Sequence, residues 1–127
     1  IRAEAFSILR SLAARNCEAA LEPLDVLADE NNEPWTGPRL ERAMVDYHKD
    51  HQRLALDNEA RNLRHTLVKP SDDGKTWLVH QTLVDPEAHN DWSLDLRVDL
   101  PSSRDLARPH LQLLRIGEIG SHPPSAT

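Results

Sequence analysis

The residues of this chain best suited to chemistry are its seven histidines and the carboxylates interleaved with them. His65 and His80 fall on successive expected strands, and Asp91 opens a third. If these three side chains point into one concave pocket, Asp91 can fix an imidazole tautomer while the ring moves a proton, a general acid–base pair. A rival reading has His89, Asn90 and Asp91 bonding the backbone of a turn, as short polar side chains do. The turn reading is preferred, so His65, His80 and Asp91 stand as catalytic candidates with no role assigned. His48 and His51 lie three apart on an expected helix, a spacing that lets both reach one ion. Their neighbours Asp46, Lys49, Asp50 and Gln52 read instead as a solvated face, and there is no His-Glu-x-x-His arrangement. No metal site is expected, and His51 reads as the polar edge of an apolar stripe.

Gly74-Lys75-Thr76 has the ending of a phosphate-binding loop. That loop needs a glycine five positions before Gly74, where Lys69 stands, and a helix opening at the lysine so that backbone N–H groups converge on phosphate. Here the triplet follows Ser71-Asp72-Asp73 and precedes a strand, and Asp73-Gly74 signals a hairpin turn. Nucleotide hydrolysis by this stretch is not expected, nor is any cofactor. Cys17 is the single cysteine, so no intramolecular disulfide and no cysteine-based metal site can form. It falls in a helical pattern and reads as a buried, small apolar thiol.

The elements that must position these side chains follow from periodicity. Arg2 to Leu21 reads as one amphipathic helix, with Ala5, Phe6, Leu9, Leu12, Ala13, Cys17, Ala20 and Leu21 at three- and four-residue steps. Pro23 ends it and opens a short turn of helix through Leu24, Val26 and Leu27. Asp29 to Pro34 is a polar loop. Thr36 is the expected N-cap of a second helix with Pro38 in its first turn, and Leu40, Ala43, Met44, Tyr47, His51 and Leu54 form its apolar stripe. A third helical turn is expected over Asp57 to Arg61.

The second half changes period. Strands are expected at Arg64–Val68, Trp77–Val84, Asp91–Leu100 and His110–Ile116, with Pro101 to Pro109 as a polar link. In the third strand Trp92, Leu94, Leu96, Val98 and Leu100 alternate with Ser93, Asp95, Arg97 and Asp99, which gives one buried and one wet face. Trp77 and Trp92 open successive strands and are expected to meet across the Asp85-to-Asn90 turn. Helices first and strands afterwards imply α+β. N-terminal helices pack on a curved, four-stranded antiparallel sheet, and a nuclear-transport-factor-like (cystatin-like) cone fits that order best. A helix-plus-meander of another topology is the alternative. Residues 1–120 read as one domain and 121–127 as a flexible tail.

The formal charge of −6, from 15 Lys+Arg against 21 Asp+Glu, and the lack of a basic stripe argue against direct nucleic-acid binding. No apolar run approaches the ~20 residues of a membrane span. A start at Ile1 suggests a piece of a longer protein, and a reducing, cytoplasmic compartment is expected.

Four stretches carry a resemblance: Arg2-Ala3-Glu4-Ala5-Phe6 with Pro34-Trp35-Thr36; Asp57-x-Glu59-Ala60-Arg61 with Arg64-His65-Thr66; Trp77-x-Val79-x-Gln81-x-Leu83-x-Asp85-Pro86; and His89-Asn90-Asp91-Trp92 leading to Val98-Asp99-Leu100. Over residues 2–117 the chain resembles the C-terminal domain of unknown function attached to a bacterial group of superfamily II DEAD/DEAH-box helicases. The resemblance implies a noncatalytic accessory domain whose partner is the upstream helicase motor of the same polypeptide, with a homodimer as a further option. It carries over no catalytic residue. Trp77, Asp85, Pro86, Asp91 and Trp92 read as turn and register devices. The alternative is a nuclear-transport-factor-like small-molecule-binding protein or enzyme, with His65, His80 and Asp91 lining its pocket.

Overall fold

The computed structural model describes residues 2–57, 65–87 and 89–119. Helices come first: α1 (Arg2–Ala13), α2 (Cys17–Leu21) and α3 (Gly37–Asp50). They are followed by β1 (Thr66–Pro70), β2 (Thr76–Leu83), β3 (Trp92–Asp99), α4 (Leu100–Leu106) and β4 (Leu111–Glu118). The four strands form one antiparallel sheet in the order β1-β2-β3-β4, so the chain is α+β. The expected helical turn after Asp57 and the tail from 121 lie outside the described residues.

One expected helix is two. The ladder of α1 stops where Arg15 takes a left-handed φ of 60° and the Asn16 N–H reaches back to the Ser11 carbonyl. The Asn16 side chain then accepts from the Ala19 N–H at 3.1 Å and caps α2. An amphipathic pattern does not register such a break, because both pieces keep the same apolar face inward. The cap of α3 is as expected, with the Thr36 hydroxyl accepting from the Arg39 N–H and Pro38 in the first turn.

The helices cover the inner face of the sheet. Ile8, Leu9, Leu12, Leu40 and Tyr47 pack with Val79, Leu83, Leu94, Leu96, Val98, Leu111 and Leu113 in one core. The β2–β3 register sets Trp77 opposite Val98 and Trp92 opposite Leu83. The two tryptophans therefore stand at opposite ends of the ladder rather than meeting, because two antiparallel strands that each open with Trp pair head to tail. The polar link after β3 is also a helix. Asp99 caps α4 by accepting from the Ser102 N–H, Pro101 lies in the first turn, and Ala107 closes it at φ 57°.

Residues after Pro23 do not coil but run along the outer edge of β4. The Asp25 N–H donates to the Leu111 carbonyl, Val26 bridges Gln112, and the Trp35 indole N–H donates to the Leu113 carbonyl at 2.7 Å. Two carboxylates tie this segment down. Asp25 accepts from Arg108 and from the Leu111 N–H, and Asp29 accepts from Arg39 and the N–H groups of Asn31 and Glu33.

Arg108 holds the Asp25 carboxyl below the ordinary range, against a smaller opposing effect of burial. For Asp29 burial pushes upward, but Arg39 and the two backbone donors outweigh it and the net shift is downward. Groups lowered in the fold contribute stability above the unfolded value of about 3.9, and lose it as the pH falls through the lower folded value. The melting temperature is therefore expected to fall between about pH 5 and pH 2. Asp29→Asn should melt lower at pH 7 and show a shallower decline over that window in a pH series of thermal melts.

Candidate functional site

The sequence candidates do not form one set of contacts. His65 is buried just before β1. His80 lies on the outer face of β2, where its Nδ1 meets Asp95 Oδ1 at 2.8 Å and Arg115 approaches the other Asp95 oxygen at 3.8 Å. Of the row expected on the wet face of β3, Asp95 makes these cross-strand pairs, while Ser93 is fully buried. Asp91 pairs with His51 instead, through Nε2 to Oδ1 at 2.7 Å. Gly74, at φ 70°, makes the β1–β2 turn with Asp73 accepting from the Lys75 N–H, so the Gly-Lys-Thr triplet is a hairpin. Trp77 is half-buried against the core.

The polar cluster that does form lies where the C-terminal end of α3 meets the β2–β3 turn. Tyr47 and His51 are one helical turn apart, so both face the sheet. Their rings stack at 4.2 Å, and the edge of Trp92 closes on Tyr47 at 5.3 Å. His51 Nδ1 donates to the Tyr47 carbonyl at 2.7 Å, which settles that nitrogen as N–H and leaves Nε2 toward the carboxylate of Asp91. His48 turns away from this point and donates from Nδ1 to the His51 carbonyl at 3.2 Å. The two histidines paired by spacing thus have different tasks.

From the other side, the turn aims Asp85 inward. Its side chain is fully buried, and Oδ1 accepts from the Asn90 N–H at 3.0 Å. Asn90 reaches that position with φ 50°, a left-handed conformation that asparagine tolerates. His89 Nδ1 lies 3.1 Å from Asp85 Oδ2, yet that oxygen accepts no well-formed hydrogen bond. Ligand atoms of His51, Asp85 and His89 all fall within 4.8 Å of one another. His51 and Asp85 form a buried floor, and the half-exposed His89 and Asp91 form the rim.

The electrostatics favour positive charge. Burial alone would lower the His51 pKa, but hydrogen bonds to the Tyr47 carbonyl and Asp91, with the fields of Asp91 and Asp85, raise it overall. Burial alone would raise Asp85, but the N–H groups of Asn90 and His89 and the nearby imidazoles bring it down. Burial drives the Tyr47 hydroxyl upward, reinforced by Asp85 and Asp91, so it stays protonated. Both His51 nitrogens face acceptors, so the ring has no free lone pair with which to take a substrate proton.

Sequence reasoning placed Asp85, His89 and Asp91 in a turn and His51 on a stripe. It missed that the two elements meet. The four-residue step from Tyr47 to His51 was the available signal.

The family described as a domain of unknown function (DUF3516) matches residues 1–116. No curated protein and no solved structure matches the chain.

Proposed function

We propose, for a chain that belongs to the DUF3516 family, a noncatalytic role: it is an accessory interaction domain of a bacterial, cytoplasmic DEAD/DEAH-box helicase. The observation that carries the reading is the filled inner face of the sheet. Tyr47, Leu40, Leu12 and their neighbours occupy the volume where a cone-shaped pocket would lie, so the surface is left to do the work. The nuclear-transport-factor-like identity of the fold belongs to the same reading and is supported by helices that precede a meander and cover one side of it. Separation of His80 and Asp91 into different ion pairs weighs against the pocket-enzyme alternative.

The outer face supplies the contact. Leu67 and Leu78 are 60% and 45% exposed there, and with Leu114 they line a shallow groove edged by His80, Asp95 and Arg115. Its occupant in this reading is the motor of the same polypeptide, and the net charge of −6 argues against nucleic acid in that place. A Leu67→Asp/Leu78→Asp double variant should keep the wild-type melting temperature, since both side chains already face water. Its affinity for the separately expressed motor, read by calorimetry, should fall at least tenfold, about 1.4 kcal/mol. Wild-type affinity in the double variant, or no binding by the wild-type chain, would sink the proposal. A concentration-dependent dimer in light scattering would point to a second copy as the occupant.

A further inference from the structure

We infer that His51, Asp85, His89 and Asp91 form a binding site for a divalent transition metal of the zinc class, a structural clamp between the end of α3 and the β2–β3 turn. This goes beyond the interaction-domain reading and does not depend on it. It also departs from the expectation that the chain has no metal site.

Three observations carry the inference. The first is convergence: one ligand atom each from His51, Asp85 and His89 lies within a common 4.8 Å, and Asp91 Oδ1 stands 2.7 Å from His51 Nε2. Zinc bonds of about 2.0–2.2 Å place two tetrahedral ligands roughly 3.4 Å apart. The 3.1 Å between His89 Nδ1 and Asp85 Oδ2 is already close to that spacing, so the pair needs little movement to share an ion.

The second observation is the orphan oxygen. Asp85 is 2% exposed, and its Oδ2 accepts no hydrogen bond while pointing at His89. A buried carboxylate oxygen whose contact with His89 falls short of a hydrogen bond is costly and leaves a place for a shared ion. The third is the outer shell. His51 Nδ1–H is committed to the Tyr47 carbonyl, so the proton shared between Nε2 and Asp91 is the one a dication would displace, leaving the Nε2 lone pair toward the site. The remaining Asp85 oxygen is held by the Asn90 N–H. Fixed imidazole tautomers and anchored carboxylates are how proteins orient metal ligands.

Two imidazoles and two carboxylates make a nitrogen–oxygen donor set with a formal charge of −2, suited to a borderline dication rather than to magnesium or calcium, which take oxygen alone. His51, Asp85 and His89 supply three converging ligands, and Asp91, turned from its bond to His51, would complete a tetrahedral shell with no position for a reacting water. The metal would therefore hold two elements together and would not catalyse. The half-exposed His89 and Asp91 give the ion its way in.

Cobalt(II) alone, added to the tag-free chain, is the probe. The expected result is a tetrahedral cobalt d–d spectrum that saturates at one equivalent, is displaced by zinc, and accompanies a higher melting temperature. His89→Ala, at a half-exposed rim position, should fold normally and weaken the metal at least ~10-fold, the loss that follows even from removing an outer-sphere partner. Asp85→Asn should do the same, and His48→Ala should bind as wild type. The inference is overturned by no spectrum and no thermal shift with the wild-type chain, by unchanged affinity in His89→Ala, or by an equal loss in His48→Ala.

Discussion

Trp92→Ala is expected to destabilise the chain by about 3–5 kcal/mol, the range for truncating a buried large aromatic. The ring is 7% exposed at the start of β3, opposite Leu83, and its neighbour in the core is Tyr47, edge-on at 5.3 Å. An aromatic pair of that geometry adds about 0.5–1.5 kcal/mol beyond the area it buries. The residue also directly follows Asp91 at the end of the β2–β3 turn and packs against His51, so its loss should loosen the polar cluster together with the core. Urea unfolding with an unchanged m-value would measure the effect directly. Trp92→Phe keeps an edge for Tyr47 and should recover more than half of the loss. A variant within 1 kcal/mol of wild type would show that the ring does not bear on the core.

Trp35→Ala should cost a similar ~3–5 kcal/mol, for a different reason. This tryptophan fastens the first half of the chain to the last strand. Its indole N–H donates to the Leu113 carbonyl, its ring is 5% exposed, and the Arg39 guanidinium lies 3.8 Å above it. Truncation removes the buried area, the cation–ring contact and a buried hydrogen bond together. Trp35→Phe separates them: the ring and its stacking stay while the donor goes, for a cost of about 1–3 kcal/mol from the orphaned carbonyl. Equilibrium unfolding of the two variants should therefore rank wild type, Phe and Ala in that order. Equal values for Phe and Ala would mean that the hydrogen bond, not the packing, dominates.

Strand alternation and capping residues were legible because they act over a few positions. Trp92, Leu94, Leu96 and Val98 on one face of β3, Thr36 before α3 and Asp73-Gly74 in the first hairpin are each local rules obeyed locally. The α+β order followed from the change of period. What stayed hidden depends on residues far apart. The bond between His51 and Asp91 spans 40 positions, and the tie from Trp35 to Leu113 spans 78. Periodicity carries no trace of either. The break at Arg15 is a different kind of miss, since a left-handed arginine has no strong sequence signal. The helix over Leu100–Leu106 had one in Asp99 and Pro101, but its polar surface spoke for a loop. The candidate site was legible residue by residue and illegible as a set.

The segment laid along β4 has a consequence for how the chain acquires its shape. Asp25 and Arg108, Asp25 and Leu111, and Trp35 and Leu113 are pairs separated by 83, 86 and 78 positions. During synthesis α3 and the β1–β2 hairpin can form from residues already made, but the loop before α3 has no edge to lie on until β4 has emerged. The Asp25 carboxylate and the Trp35 indole then wait in water while the residues up to β4 are made. Closing such distant contacts is slow compared with forming helices and hairpins. Within this domain, the final assembly step should thus be the docking of β4 against the loop that precedes α3.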